Sequence, residues 1–328
     1  MRAPLRVLAH VHGYPPHQNA GAEYMLHVIL RWLVERGHEA RVMLAPGQKD
    51  YELEGVSVLS GPVGTDHVAF FRWAEYHARW SNLILTHLDF TPNAVGIGRV
   101  NRRPVVHLVH NEAQLGHHAV RDAALVVFNS RWVSDAVRWE GGPSIIVRPP
   151  VFARDYRVTR TGAYAITMIA TIEIKGVKTF YEIARRMPER HFIGVQGAYS
   201  LNIPPDEDLE NVEIVPNGPD IASVYRRTRL LLVPSHYESW SRCAIEAATS
   251  GIPVIASPTP GLLESLAESG VFAECHDVGA WCRAIERLDD ENRYAAASSA
   301  VQARAAELEQ GSQQELEALE EALGRVAG

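Results

Sequence analysis

Short apolar runs alternate along the chain with longer amphipathic stretches, a rhythm that predicts strands and helices in turn. LRVLAHV at 5–11 has strand length, and the loop HGYPPHQNAGAE follows it. Met25, Leu26, Ile29, Trp32 and Leu33 then recur at the i, i+3, i+4, i+7 spacing of a helix with one apolar face. Gly37 ends that helix and HEARVML restarts a strand. SNLILTH (81–87), PVVHLVH (104–110), ALVVFNS (124–130) and SIIVRPP (144–150) continue the series. Such alternation predicts a parallel sheet covered by helices on both faces.

Consecutive prolines and several charges interrupt the pattern at VRPPVFARDYRVTRTG, so the chain is expected to cross between domains near residue 151. The rhythm resumes with YAITMIA (164–170), HFIGVQG (191–197), VEIVP (212–216), RLLLVPS (229–235), IPVIAS (252–257) and VFAEC (271–275). QQELEALEEALGRV (314–327) predicts a last helix with Leu316, Leu319 and Leu323 on one face and acids opposite. The expected organisation is a first α/β domain over 1–151, a second over 152–311, and a terminal helix, 312–328, packing back on the first. Two open sheets with a cleft between them is the architecture this favours.

Length agrees, because 328 residues exceed what one core usually organises. With 46% apolar residues the chain is neither disordered nor collagen-like. No apolar stretch approaches the roughly 18 to 20 residues that span a bilayer, and MRAPLRVLAHVHG lacks a signal-like core, so a soluble, cytoplasmic protein is expected. The three cysteines, Cys243, Cys275 and Cys282, have no CxxC spacing, which argues against a disulfide framework, a structural zinc or cysteine chemistry. The net charge of -7 conceals an asymmetry. Residues 1–164 carry 18 basic and 14 acidic groups, and the remainder 14 and 25. General nucleic-acid binding is disfavoured, while the positive first half suits an anionic acceptor or peripheral contact with an acidic membrane surface.

The richest chemistry lies in PSHYESWSRCAIEAATSGIPVIASPTPGLLE, 234–264. It follows a buried strand, so Pro234–Ser241 form a turn at the carboxyl end of a parallel sheet, where such sheets bind ligands. The helix expected from Ser241 is small and apolar except for Glu246. A carboxylate there requires hydrogen bonds, and a ribose diol offers two donors side by side. Glu238 would point toward the same place, and the amides of Ser239, Trp240, Ser241 and Arg242 make a helix N-terminus suited to a diphosphate. Spacing alone equally allows Glu246 to be a salt-bridged helix residue and Glu238 a loop charge.

Seven residues, SWSRCAI, separate Glu238 from Glu246, PS precedes them, and EAATSGIPVIAS follows with Gly261, Leu262 and Glu264 beyond. In this the chain resembles the retaining glycosyltransferases of family four, also called group 1, which carry a Glu-x7-Glu motif; YPP and GAE near the start resemble their N-terminal loop. The resemblance implies a GT-B fold of two Rossmann-like, doubly wound parallel-sheet domains facing across a cleft. It implies a nucleotide diphosphate sugar of UDP or GDP type as donor substrate, and no cofactor. Glu246 would bind the ribose, Glu238 the hydroxyls of the transferred hexose, and the amides of 239–242 the pyrophosphate. Lys175, in ATIEIKGVKTF and one of only three lysines in the chain, matches the family's Lys-Gly and would neutralise the leaving diphosphate. Gly21, in the first domain, would lie near the donor phosphates, and His110 would contact the transferred sugar. His107, three residues earlier, points mainly to the other face.

The chain also departs from the family. Where members commonly have Gly-Arg ahead of the lysine it has Ala170 and Thr171, so one diphosphate cation is missing and Arg242 is the expected substitute. Tyr14, His17, Glu112, His117 and Arg121 are further acceptor-side candidates. His10, His12, His117 and His118 have no nearby third ligand of suitable spacing, and no metal site is expected. These features imply a retaining, metal-independent hexosyl transfer to an unidentified acceptor, by front-face attack without a protein nucleophile. The alternative is a catalytically weak or inactive protein that holds the nucleotide sugar. A dinucleotide oxidoreductase would need GxGxxG after the first strand, where YPPHQNAGAE stands instead.

Overall fold

The computed structural model describes residues 4–62, 67–113, 118–199 and 201–328. The chain divides into two compact units, Met1–Pro150 with Ser312–Gly328 and Val151–Gly311. Among the described residues no helix is long and apolar enough to cross a membrane.

In the first unit β1 (Arg6–His10), β2 (Glu39–Leu44), β3 (Tyr51–Leu53), β4 (Val56–Ser60), β5 (Leu83–His87), β6 (Val105–Val109), β7 (Leu125–Phe128) and β8 (Ser144–Ile146) form one sheet. Their order is β3-β4-β2-β1-β5-β6-β7-β8, parallel except for the β3–β4 edge pair. The sequence pattern misses that hairpin because its strands are short and half-buried. Its turn places Glu54 and Gly55 at φ 47° and 80°, the positive pair that suits a two-residue hairpin. The Glu54 carboxylate is pinned by His27 Nε2 at 2.7 Å and Arg31 Nη1 at 3.2 Å. Burial works against its charge, but these donors hold it below the ordinary carboxylate range.

The sheet is covered by α1 (Gly21–Glu35), α2 (His67–Trp80), α3 (Thr91–Asn101) and α4 (Arg131–Val137). On α1, Met25, Leu26, Ile29 and Leu33 are buried as their spacing predicts, whereas Trp32 is half-buried with the Arg36 guanidinium 4.8 Å from its ring. The helix ends where Gly37 takes φ 89° and donates its N–H to Val34 O, a left-handed stop that glycine adopts without a Cβ penalty.

In the second unit β9 (Ala165–Ile169), β10 (Phe192–Val195), β11 (Val212–Val215), β12 (Thr228–Val233), β13 (Val254–Ala256) and β14 (Val271–Phe272) form an all-parallel sheet ordered β11-β10-β9-β12-β13-β14. Its helices are α5 (Ala153–Tyr156), α6 (Val177–Arg186), α7 (Ile221–Arg227), α8 (Arg242–Thr249), α9 (Pro260–Leu266) and α10 (Val278–Arg287). Successive β12 side chains serve two cores: Leu230 and Leu232 join Phe180, Phe192 and Trp281, while Leu231 and Val233 join Ala244, Ile245 and Leu262. This two-sided burial is why the strands read as continuous apolar runs. Val151, expected in the first domain, instead packs in the second core with Tyr156, Tyr225 and Leu231.

The last helix, α11 (Glu291–Ala327), begins well before the predicted residue 314 and runs for 37 residues. Its first part, rich in alanine, has high helix propensity but too few large apolar groups to show a periodic face. Val301 and Ala305 are buried in the second unit, and Leu316, Leu319 and Leu323 in the first. Not all acids lie opposite that face. Glu320 meets Arg36 Nε at 2.6 Å and His38 Nε2 at 3.1 Å, and Glu315 accepts the Arg148 backbone N–H at 2.7 Å and pairs with its guanidinium.

Two measurements check this account. Leu319→Ala should lower the unfolding free energy by about 2–5 kcal/mol in urea denaturation, the cost of a core cavity, whereas Glu320→Gln, whose partners are partly exposed, should cost about 1 kcal/mol or less; equal effects would contradict the packing. The first unit should also be the more acid-labile. Burial pushes His10 from 6.5 down to about 4; burial, and then the neighbouring His107, push His110 to about 3. His87 is held well below 6.5 by burial and His110. These groups are neutral when folded and bind protons once unfolded, so their contribution is full above about pH 6.5 and is lost as the pH falls toward about 4. Hydrogen exchange in urea should therefore show the first unit opening at lower denaturant at about pH 5 than at about pH 7; an unchanged midpoint would contradict it.

Candidate functional site

The second sheet reverses its strand order between β9 and β12, since the chain builds β10 and β11 on one side and β13 and β14 on the other. Ligands bind open α/β sheets outside the carboxyl ends of the strands at such a point. After β9 the chain makes one tight turn, Glu173–Lys175, and Gly176 follows at φ 80°. After β12 come Pro234–Ser241 and then α8.

Two glycines let neighbouring loops close on this segment. A Cβ on Gly176 would lie 1.8 Å from Pro234 O, and one on Gly261 would lie 2.2 Å from Glu238 O. No side chain fits at either place, which gives the Lys-Gly pair and the glycine after β13 a steric reason.

The approach brings Lys175 Nζ to 2.7 Å from Glu238 Oε1, which also accepts from Ser235 Oγ at 3.0 Å. Glu238 is buried, while the lysine side chain keeps 29% of its surface accessible. Two groups 63 positions apart in sequence thus form one partly exposed ion pair at the switch point.

Glu246, on the first turns of α8, is also buried and has partners of its own. Tyr225 donates to Oε2 at 3.0 Å, and Arg242 Nη2 lies 3.0 Å from Oε1. Arg242 Nη2 also donates to Tyr156 Oη at 2.8 Å. This corrects the expectation that Arg242 is turned toward a diphosphate: its guanidinium is buried and engaged one helical turn further along α8, because an i,i+4 arginine and glutamate on a buried face satisfy each other. Burial, and then the Glu246 carboxylate, push the Tyr225 hydroxyl well above 10. Cys243 is pushed up to about 12 by burial and the Glu238 carboxylate, so it is a neutral thiol. The helix starts at Arg242, one residue later than expected. Ser241 is its N-cap without a side-chain capping bond, Trp240 and Ser241 are buried, and Ser239 is half-buried.

The departure ahead of Lys175 is visible as well. Ala170 adopts φ 69°, a left-handed conformation that glycine takes freely and alanine takes at roughly 1 kcal/mol or more. Thr171, where the arginine was missed, is buried and donates to Asn202 Oδ1 at 3.1 Å, so it brings no charge to the loop.

The first unit has its own switch, between β1 and β5. His12 follows β1 and meets Glu23 Oε1 of α1 at 3.1 Å, while His87 Nδ1, at the end of β5, meets His110 Nε2 at 3.0 Å. His110 is therefore a buried neutral imidazole. His107 turns to the opposite face, where its ring meets Thr91 Oγ1 at 2.7 Å. Gly21 is the exposed first residue of α1. Tyr14 is fully buried with its hydroxyl 2.8 Å from His27 Nδ1, which removes it from the acceptor-side candidates. His17, Glu112 and Arg121 are exposed, and His117 lies outside the described residues. Among the described residues two groups bring three metal-ligating atoms within 4.8 Å of one another: His12, Glu23 and His87, and His236, Cys275 and His276. Neither is legible from spacing, because in each the members come from elements far apart in sequence.

Sequence reasoning missed Tyr156, Tyr225 and Ser235. The first two lie on short helices without a motif, and no local signal marks them.

Residues 163–291 match the family model for Glycosyl transferases group 1. A D-inositol 3-phosphate glycosyltransferase of Corynebacterium kroppenstedtii is 37% identical over 93 residues, which cover 27% of this chain and 21% of that protein. The chain thus spans about a fifth of the length of this relative. Among solved structures, Anabaena HepE in complex with UDP-glucose superposes with a TM-score of 0.77 at 18% identity, covering 97% of this chain and 100% of that one. Sucrose-phosphate synthase from Thermosynechococcus elongatus gives 0.70 at 18% identity, covering 94% and 98%. The fold is that of the GT-B glycosyltransferases, and the segment 163–291 is similar to the glycosyl transferases group 1.

Proposed function

We propose that this protein transfers a hexosyl-type sugar from a nucleotide diphosphate sugar to an acceptor, with retention at the anomeric carbon and without a metal ion in the transfer step. The observation that carries this reading is the Lys175–Glu238 pair at the switch point of the second sheet, with Glu246 on the helix that follows. The UDP-glucose bound by HepE favours a UDP sugar.

Cleavage of the sugar–phosphate bond leaves positive charge on the ring and negative charge on the departing diphosphate, so fixed positive charge at the phosphate lowers the barrier most. Lys175 and the first amides of α8 supply it. Glu238 receives a hydroxyl of the hexose, and Glu246 the ribose diol. The acceptor attacks from the face the diphosphate leaves, and a donor phosphate oxygen takes its proton. His110, a buried neutral imidazole, is not available as an acid. D-inositol 3-phosphate, named in the aligned relatives, is the first acceptor to assay, and the positive first half of the chain suits an anion.

A second reading, nucleotide-sugar binding without turnover, is favoured by one observation: Arg242 is committed to Glu246 and Tyr156 and does not replace the missing diphosphate cation. Tight donor binding with neither transfer nor donor hydrolysis would select it.

A thermal-shift panel of UDP and GDP sugars tests the donor. At ~100 times its dissociation constant the correct donor stabilises the fold by about 2.7 kcal/mol, and Glu246→Gln should abolish that shift; a melting temperature indifferent to every donor would sink the proposal. Lys175→Ala should lower kcat by about 100- to 1000-fold with little change in KM, whereas Arg242→Ala should chiefly cost stability, about 3–5 kcal/mol, by leaving a buried carboxylate without its cation. A Lys175→Ala protein with unimpaired turnover would contradict the assigned role.

A further inference from the structure

The loop after β12 and the loop after β14 meet at His236, two residues before Glu238, where Cys275 Sγ donates to Pro234 O at 2.9 Å. There His236, Cys275 and His276 gather their ligand atoms within 4.8 Å of one another. Cys275 Sγ lies 3.4 Å from His236 Nδ1, and the two imidazole rings stand 5.0 Å apart at 38°. Tetrahedral zinc, with bonds of about 2.3 Å to sulfur and 2.0–2.1 Å to nitrogen, holds such a pair roughly 3.5 Å apart. The observed separation already has that value.

We propose that His236, Cys275 and His276 form a zinc site, with the fourth position open to water or a small ligand. One thiolate with two imidazoles is a donor set that selects zinc over magnesium, calcium or manganese. The backbone around the cluster is fixed in advance. His236 N–H donates to Ile174 O at 3.0 Å, Thr179 Oγ1 to Cys275 O at 3.0 Å, and Trp281 Nε1 to Glu274 O at 2.9 Å. Both histidines are exposed and the cysteine is buried behind them, which gives the ion a path from solvent. Binding requires one proton to leave, that of the Cys275 thiol, which otherwise donates to Pro234 O at 2.9 Å. The site does not rest on the proposed transfer reaction, although an ion there would tie together the loops on either side of β13, two residues from Glu238.

The other three-ligand group provides the internal comparison, since His12 Nε2 and Glu23 Oε1 already meet each other at 3.1 Å. The test uses the full chain, stripped with chelator, titrated with zinc sulfate and desalted before elemental analysis, with cobalt(II) as a spectroscopic substitute. One zinc per chain and a thiolate-to-cobalt charge-transfer band are expected. Cys275→Ser, which keeps a hydroxyl donor for Pro234, should lose both. His276→Ala, at an exposed position and so expected to fold, should weaken zinc binding by more than about tenfold, the scale on which even outer partners of a metal act. His12→Ala should change neither. Absence of zinc from the unaltered chain, a band that survives Cys275→Ser, or zinc lost in His12→Ala but retained in His276→Ala would overturn the proposal. Should Cys275→Ser not fold, His276→Ala and the cobalt band decide the question. Donor-induced stabilisation is measured separately, so failure of either proposal leaves the other standing.

Discussion

The second unit depends on the contact of one α-carbon with one carbonyl. Gly176 passes so close to Pro234 O that no side chain can stand between them, and this lets the turn after β9 lie against the loop after β12. Any Cβ at 176 would push the two apart. Lys175 would then lose Glu238, and the switch point would carry two unrelated loop charges in place of one pair. Gly261 does the same from the other side, against the backbone of Glu238. Steric permission at two glycines, more than any attraction, places the charged groups.

Charge is then balanced within the unit itself. Each of the two buried carboxylates has one cation: Glu238 has Lys175, and Glu246 has Arg242. Each pair loses hydration on burial, so its net worth to stability is small, but removing one partner leaves an uncompensated charge and is costly. The pairs differ in what they can do next. Arg242 is enclosed by Glu246 and Tyr156, whereas Lys175 remains partly accessible and is tied at only one end. Of these two cations, Lys175 is the one left able to turn toward solvent, which is why the proposed role at a diphosphate falls to it.

The alternation of apolar and amphipathic stretches located the sheets because strands buried on both faces, such as β12, leave continuous apolar runs in any sequence that folds this way. Glu246 stood out as a carboxylate on an otherwise small, apolar helix, whereas Glu238 and Lys175 were marked by the resemblance to the Glu-x7-Glu and Lys-Gly motifs. The hairpin at Glu54–Gly55 left no such trace, since its stability comes from His27 and Arg31 on a different element. The alanine-rich start of α11 was equally silent, because helix propensity without large apolar groups produces no period.

By itself, then, the sequence determined the alternation of buried parallel strands with helices, the ends of helices such as Gly37, and the segment where the charged groups cluster, all of which follow from local burial and backbone sterics. Only the tertiary structure decided which groups face one another. It turned Arg242 onto Glu246, buried Tyr14 against His27, and drew His236 to Cys275 and His276 from strands that are not neighbours. Those pairings depend on strand order and loop approach, and spacing along a chain carries no record of distances across a sheet.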